Sequence, residues 1–353
     1  MAFPFLEGSS KDPDEMVNVR MWGKALVRMP KISNEEWKTL DLVSRWLVLT
    51  RAAALWMTFT ACLLAGALAF RAHKLDWTLW GVTTFGLMMS HATNNLINDL
   101  TDHWKGTDKG NYFRAQYGVQ PLEQGVMSKR EFYVYTALTA AVALASGGYL
   151  LYVRAGLVLT LFLAGIFFVL FYTYPLKYYG FGELAVIAVW GPLMVGGAYY
   201  VVTGTWDNSV ALVGTVYALG PTQVIFGKHI DKIESDTAKK IHTLPVVLGD
   251  KGSRKMVIVL MVLQYVLTLG LIAAGVLSVA SFLVLLSLPT FFKIRKVYGK
   301  PRPLDKPSKR LAELWPLWFS AWSFWHSARF GLFLLIGVGL ELAFPGIPRL
   351  RLW

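Results

Sequence analysis

Charge is scarce in this 353-residue chain. Asp, Glu, Lys and Arg together make up 16% of it, against about 25% in soluble domains, while 55% of the residues are apolar. That balance excludes a soluble globular enzyme. Cysteine is represented by Cys62 alone, so neither a disulfide framework nor a cysteine-based metal site is available, and the fold rests on packing. The first 45 residues show no basic-then-apolar leader with a small-residue cleavage site, so no signal peptide is expected there. Acidic residues are the scarcer sign, 22 Asp and Glu against 35 Lys and Arg, a net charge of +13. On an apolar chain such an excess arises either from nucleic-acid binding or from cytoplasmic loops that follow the positive-inside rule, and the positions of the charges decide between them.

What the chain has in abundance is long apolar runs. Nine stretches suffice to cross about 30 Å of hydrocarbon: roughly 46–70, 78–99, 132–152, 156–174, 184–202, 210–226, 256–276, 277–292 and 324–344. The seventh and eighth run together with only Ser278 and its neighbours as a break, so eight spans is the alternative. Lys and Arg number seven in 1–45, five in 101–130, seven in 227–255 and eight in 293–310. The intervening connections offer Arg71, Lys74 and Arg154, with Arg349 and Arg351 at the tail. The N-terminus is therefore expected in the cytoplasm and the C-terminus across the membrane, which requires an odd number of spans and favours nine. The basic excess becomes topogenic charge, and nucleic acid is not expected as a partner. Residues 1–45 read as a cytosolic extension, with a short interfacial helix around 34–45 capped by Ser33 or Asn34. Residues 46–353 read as the membrane domain of an all-α, multi-pass protein of the cell membrane.

The second span ends in polar residues. His91, Asn95, Asn98 and Asp102 fall within about 60° of one another on a helix, with Asp99 beside them. An aspartate at the centre of a membrane helix costs about 2.5–3.5 kcal/mol, so this stripe should face a wet cavity or bound ions. Beyond it the sequence runs Asn98-Asp99-x-x-Asp102-x-x-Lys105-Gly106-x-Asp108, oxygen donors suited to Mg²⁺ held through substrate phosphates. A second acidic cluster, Asp231, Glu234 and Asp236, follows the sixth span on the same expected side. Asp231 and Glu234 share a helical face at i,i+3, whereas Asp236 joins them only if the helix ends between them. Two acid-rich ends brought together repel unless cations intervene, and a Mg²⁺-bridged diphosphate is the economical guest. Lys105, Arg114, Lys177 and Lys228 are candidates for its remaining oxygens.

These residues resemble the UbiA superfamily of intramembrane prenyltransferases. The segment from Asn98 to Asp108 is similar to its first aspartate-rich motif in the form typical of menaquinone-biosynthetic members. Residues 121–128, 172–183, the pair Gly191-Pro192 and residues 243–249 also match, over about 46–345 in all. The second motif departs from the pattern. Relatives acting on dihydroxynaphthoate carry Asn-Asn-x-Arg-Asp before Ile-Glu-x-Asp, and this chain places Lys228, His229, Asp231 and Lys232 at those four positions. The metal-ligand aspartate expected there is Lys232, with Asp231 one place earlier. Either Asp231 takes over through a shifted helix, or the acceptor or metal arrangement differs.

The resemblance implies nine helices around a central cavity with a cytoplasmic mouth and a side opening to lipid. It implies transfer of a polyprenyl group from its diphosphate to an aromatic acceptor, with 1,4-dihydroxy-2-naphthoate favoured and Mg²⁺ as cofactor. Its implied metal ligands are Asn98, Asp102, Asp108, Asp231, Glu234 and Asp236. Asp99, Asp102 and Lys177 are expected at the reacting diphosphate, and Asn95, Asn98, Arg114 and Lys228 around it. Tyr172, Tyr174 and Tyr178 are candidate partners for an allylic cation, and His91 is a candidate proton acceptor or an inter-helix strut. A different acceptor, terpene cyclisation and a cation-coupled transporter remain as alternatives, although no internal repeat of the transporter kind is evident.

Overall fold

The computed structural model describes residues 17–110, 113, 118–306 and 315–350. All regular elements among them are helical. Three short helices precede the bundle, each opened by a side chain that accepts a backbone N–H of the first turn: Asn18 before α1 (Val19–Val27), Ser33 before α2 (Asn34–Lys38) and Asp41 before α3 (Leu42–Leu49). The single interfacial helix expected over 34–45 is thus divided, because Asp41 leaves the helical path to cap α3. Nor does this segment stand off the bundle. Met21, Ala25, Trp37 and Leu40 are buried in one apolar cluster with Leu55, Leu96 and Phe132.

The bundle follows as α4 (Ala52–Arg71), α5 (Trp77–Trp104), α6 (Lys129–Arg154), α7 (Leu157–Phe171), α8 (Gly182–Thr203), α9 (Asn208–Asp231), α10 (Ile233–Ala238), α11 (Leu244–Ala273), α12 (Leu288–Tyr298) and α13 (Trp318–Ala343). Seven of these, α4, α6, α7 with its following turn to Tyr179, α8, α9, α11 and α13, are long and apolar enough to cross a membrane. Helix α5 has the length, 28 residues, but carries the polar stripe. The expected eighth span is not a continuous α-helix. Residues Val279–Ser287 are 3₁₀ and only Leu288–Tyr298 is α. The physical reason is close packing: a Cβ on Gly337 of α13 would lie 2.9 Å from Ser281 Cα and 3.0 Å from the Ala280 carbonyl, so the tight helix rests directly on the α13 backbone.

Helix α9 is the axis, with 83% of its apolar window buried, and packs against α8, α11 and α13. A buried polar chain joins it to its neighbours: Gln223 Nε2 donates to Gln264 Oε1 (3.1 Å), His326 Nδ1 meets Gln223 Oε1 (3.1 Å), and Tyr265 Oη bridges His326 Nε2 (3.0 Å) and Ser287 Oγ (2.5 Å). At one end of the bundle Gly227 permits a still closer approach, since a Cβ there would lie 2.7 Å from Phe319 C and from Ser320 N. This brings the first N–H groups of α13 onto Asp231, whose Oδ1 accepts from Phe319 and Oδ2 from Ser320, both at 3.0 Å. At the other end Arg71 donates to the Val276 carbonyl and Arg349 to Glu341.

Asp41 fastens the N-terminal segment. It accepts from the Ser44 amide (2.9 Å) and hydroxyl (2.5 Å), from Trp22 Nε1 (3.1 Å) and from the Asn18 amide (3.1 Å). Burial alone would raise this carboxyl, but those donors together hold it well below the ordinary carboxylate range. A depressed folded-state pKa gives stability that is complete above the unfolded value of about 4 and is lost as pH falls toward the folded one. Asp41→Ala should therefore cost about 1 kcal/mol and speed amide exchange over residues 18–40 at pH 7. The same segment of the unmutated chain should loosen below about pH 4. Equal exchange in both chains at pH 7 would contradict the assignment.

Candidate active site

One end of the bundle holds a polar cleft. Its first wall is the last turn of α5, with Asn98 and Asp102, and the turn beyond, with Thr107 and Asp108. Helix α5 ends at Trp104, and both the amide (2.9 Å) and the hydroxyl (3.0 Å) of Thr107 return to the Asp102 carbonyl. Gly106, at φ +67°, allows this reversal and folds Asp108 back to the cleft. Tyr172 and Lys177 come from the connection between α7 and α8. There a π-turn over Tyr172–Leu176, with Pro175 inside and Tyr174 extended, passes into a 3₁₀ turn over Lys177–Tyr179. The turn swings Lys177 beneath α5, where its Nζ lies 3.0 and 3.1 Å from the Asp102 carboxylate oxygens and 3.3 Å from Asn98 Oδ1. Thr173 also donates to Asn98 Oδ1, at 3.1 Å.

The opposite wall is the end of α9, α10 and the chain beyond: Lys228, His229, Lys232, Asp236, Lys239, Ile241 and Thr243. Lys232 lies at the break between α9 and α10 with its Nζ 3.2 Å from Asp236 Oδ1. Lys239 donates to the Thr107 carbonyl and, at 3.4 Å, to that of Lys109, and so ties the two walls together. Burial and the neighbouring Lys232 lower the pKa of its ammonium. His229 Nδ1 is 2.6 Å from Glu183 Oε1, which fixes the end of α9 to the start of α8. In all, three aspartates and four lysines face one another across the cleft.

Of the residues expected at a site, Asn98, Asp102, Asp108, Tyr172, Lys177, Lys228 and Asp236 are brought together here. The others are placed elsewhere. Asp231 is engaged by the N-terminus of α13, and Glu234 is exposed. Asp99 pairs with Arg51, which also donates to Asn95 Oδ1 at 3.2 Å, and Asn95 Nδ2 donates to the Thr50 carbonyl at 2.8 Å. His91 is buried, 2.9 Å from Thr58 Oγ1 and edge-on to Trp190. Tyr174 is exposed with Lys105 Nζ 3.8 Å from its ring centroid, and Tyr178 lies 5.5 Å from Lys177 Nζ. Arg114 lies outside the described residues. The polar stripe of α5 is therefore two interfaces: His91, Asn95 and Asp99 face α4 and its preceding turn, while Asn98 and Asp102 face the cleft. Sequence reasoning named Lys232 only as a departure from the second motif, and missed Arg51, Lys239 and the His229–Glu183 pair as parts of this region. A signal existed for Arg51, a lone cation inside the first apolar run.

An apolar groove of about 280 Å³ lies beside the cleft, lined by Gly86, Thr93 and Ile97 of α5, Gly147 of α6, Gly165 and Val169 of α7 and Gly197 of α8, among others. Ile97 adjoins Asn98 in sequence, and Leu170, also on the groove, precedes Tyr172 by two residues. The linings of cleft and groove share no residue but adjoin along α5 and at the end of α7.

Residues 54–324 match the model of the UbiA prenyltransferase family. The chain belongs to that family. It is a prenyltransferase by that membership, and every cleft residue falls within the matched span. It is 29% identical over 221 residues to the 1,4-dihydroxy-2-naphthoate octaprenyltransferase of Escherichia coli K12, covering 60% of this chain and 70% of that protein. Among solved structures, an apo UbiA homologue from Aeropyrum pernix K1 superposes with a TM-score of 0.56 at 15% identity, over 81% of this chain and 96% of that one. A UbiA homologue from Archaeoglobus fulgidus bound to DMAPP and Mg²⁺ superposes with a TM-score of 0.50 at 17% identity, over 82% and 98%. These likenesses extend the shared fold over most of the bundle.

The Arg51–Asp99 pair is shielded, with side-chain exposures of 11% and 8%, and Arg51 holds a left-handed backbone (φ 54°) between α3 and α4. Removing one member of such a pair costs about 3–5 kcal/mol, whereas replacing both by apolar residues is far milder. Asp99→Leu should accordingly lower the thermal unfolding midpoint in detergent, and Arg51→Met combined with Asp99→Leu should recover much of the loss. A midpoint unmoved by Asp99→Leu would remove the structural role assigned to the pair.

Proposed function

We propose that this prenyltransferase transfers a polyprenyl group from a polyprenyl diphosphate to an aromatic acceptor, 1,4-dihydroxy-2-naphthoate in the favoured case, and releases diphosphate. The observation that carries the reading is the placement of a lysine- and aspartate-lined cleft next to an apolar groove lined by adjoining residues of α5 and α7, which suits an anionic head on a hydrocarbon tail. The relatives named as naphthoate octaprenyltransferases and the homologue bound to DMAPP and Mg²⁺ support it. The bundle crosses the bilayer nine times in this reading, the 3₁₀–α12 unit and α5 making up the passes beyond the seven apolar helices. The cleft faces the cytoplasm of the cell membrane, because the connections that build it carry the larger share of Lys and Arg.

The donor set fits Mg²⁺. Asp102, Asp108, Asp236 and the Asn98 carbonyl are hard oxygen ligands lining one cleft. Among the described residues no three His, Cys, Asp or Glu side chains close a metal site by themselves, and substrate phosphates would complete the shell. Bound Mg²⁺ supplies positive charge to the departing diphosphate. Lys177, Lys228, Lys232 and Lys239 add cationic donors that stabilise the same leaving group as the allylic C–O bond breaks and its electron pair departs with oxygen. Tyr172, close to the junction of cleft and groove, offers its ring to the allylic cation, and the apolar groove keeps water from it. The ring carbon of the acceptor then bonds to the allylic carbon, and the proton that carbon loses passes to an oxygen of the departing diphosphate.

Purified protein with Mg²⁺, the naphthoate and radiolabelled octaprenyl diphosphate should release diphosphate. Asp102→Asn should reduce that turnover by about 10²–10³-fold, and unchanged turnover would remove the site. The groove makes a further prediction. A Cβ on Gly165 meets nothing within 4 Å, so Gly165→Trp should fill the groove, suppressing turnover of octaprenyl diphosphate while sparing dimethylallyl diphosphate. Equal losses with both donors would detach the tail from this groove.

A further inference from the structure

The two walls of the cleft are chemically unequal. The α5 wall supplies two carboxylates, Asp102 and Asp108, and the Asn98 amide, against one ammonium, Lys177, which sits on Asp102 and leaves Asp108 in excess. The α9–α10 wall supplies one, Asp236, with Lys232 at 3.2 Å, alongside Lys228 and Lys239. The two other acids of that region do not remedy this, since both oxygens of Asp231 accept backbone N–H groups of α13 and Glu234 is exposed. Position 232, where the motif leads one to expect a metal-binding aspartate, holds an ammonium group.

From this asymmetry we infer that the cleft holds its diphosphate with a single divalent cation, seated on the α5 wall, while Lys232 and its neighbours hold the other phosphate directly. The inference deepens the proposed function and rests on it. Charge points the same way. Four lysines and three aspartates leave the cleft at +1, with His229 and Glu183 offsetting each other as a pair. One divalent ion brings the cleft to +3, which matches the roughly −3 of a prenyl diphosphate at neutral pH. A second ion would leave an excess of two positive charges in a site enclosed by apolar helices, beside an ammonium that repels it. The α9–α10 wall thus works as an anion seat in which lysine donors take phosphate oxygens as point charges.

The test counts ions. Purified full-length protein in detergent is titrated with Mn²⁺ in the presence of inorganic pyrophosphate, bound Mn²⁺ is measured by electron paramagnetic resonance, and octaprenyl diphosphate turnover is assayed on the same preparation. One pyrophosphate-dependent Mn²⁺ per chain is expected, rising to two in Lys232→Asp. Two ions in the unmutated chain with turnover intact would overturn this inference alone, and no bound ion together with no diphosphate release would overturn the proposed function with it. Should Lys232→Asp fail to fold, Lys232→Met decides the matter. Metal-free equilibrium dialysis of labelled pyrophosphate in EDTA should show binding to the unmutated chain that weakens about tenfold in the variant, and equal binding by the two proteins would refute the direct lysine contact.

Discussion

Carboxylates at or near the hydrocarbon level must be neutralised or hydrogen-bonded, and much of this structure is arranged around that constraint. Asp99 has Arg51, Asp102 has Lys177, Asp236 has Lys232, Glu183 has His229, and Glu341 has Arg349 and Arg71. Asp231 instead takes two backbone N–H groups of a helix N-terminus, where the helix dipole favours negative charge. Except for Lys232–Asp236, an i,i+4 pair, and Arg349–Glu341, these contacts join different elements: α4 to α5 and to α13, α5 to the turn after α7, α8 to α9, and α9 to α13. The acids therefore divide into two kinds. Those satisfied by arginine, histidine or backbone hold helices to one another, and those satisfied by lysine line the cleft.

That division explains what was legible in the sequence. Length, apolar runs and the alternation of basic connections specified an all-helical membrane protein, because those signals depend on local composition. The α5 stripe and the second acidic cluster located the cleft to within a turn, and seven of the expected site residues meet there. A helical wheel could not show that neighbouring members of the stripe face different partners. Asn95 and Asp99 turn to Arg51, whereas Asn98 and Asp102 turn to Lys177, and the choice is made by tertiary neighbours rather than by angle.

Asp231 and the expected eighth span show a different limit. Spacing alone gives Asp231 and Glu234 a common face, but the approach of α13 across Gly227 claims the first carboxylate for helix capping. Likewise, the approach of Val279–Ser287 to Gly337 selects a 3₁₀ helix in a stretch whose composition suits an ordinary apolar span. In both places a glycine lets a second helix come close, α13 to Asp231 past Gly227 and the 3₁₀ helix to α13 at Gly337, and that approach decides the conformation or function of the residues it reaches. Such dependence is non-local and leaves no mark in the periodicity of either segment.

Cleft and groove together also give the proposed reaction a direction. In the proposed reading a polyprenyl diphosphate is held at both ends, its head by the lysines and oxygen donors of the cleft and its tail by apolar surface. Once the allylic bond is broken, the charged contacts belong only to diphosphate, at an end of the bundle ringed by basic connections. The prenylated product keeps only the apolar contacts, and these differ little from those of the bilayer, since a groove wall and a lipid tail are similar solvents. The helices α6 and α7 that flank the groove expose Leu138, Leu144, Leu159, Leu163 and Phe167, a surface continuous in character with lipid. Affinity for the substrate therefore resides in the part the reaction removes, so that chemistry itself loosens the product's hold and the membrane receives it.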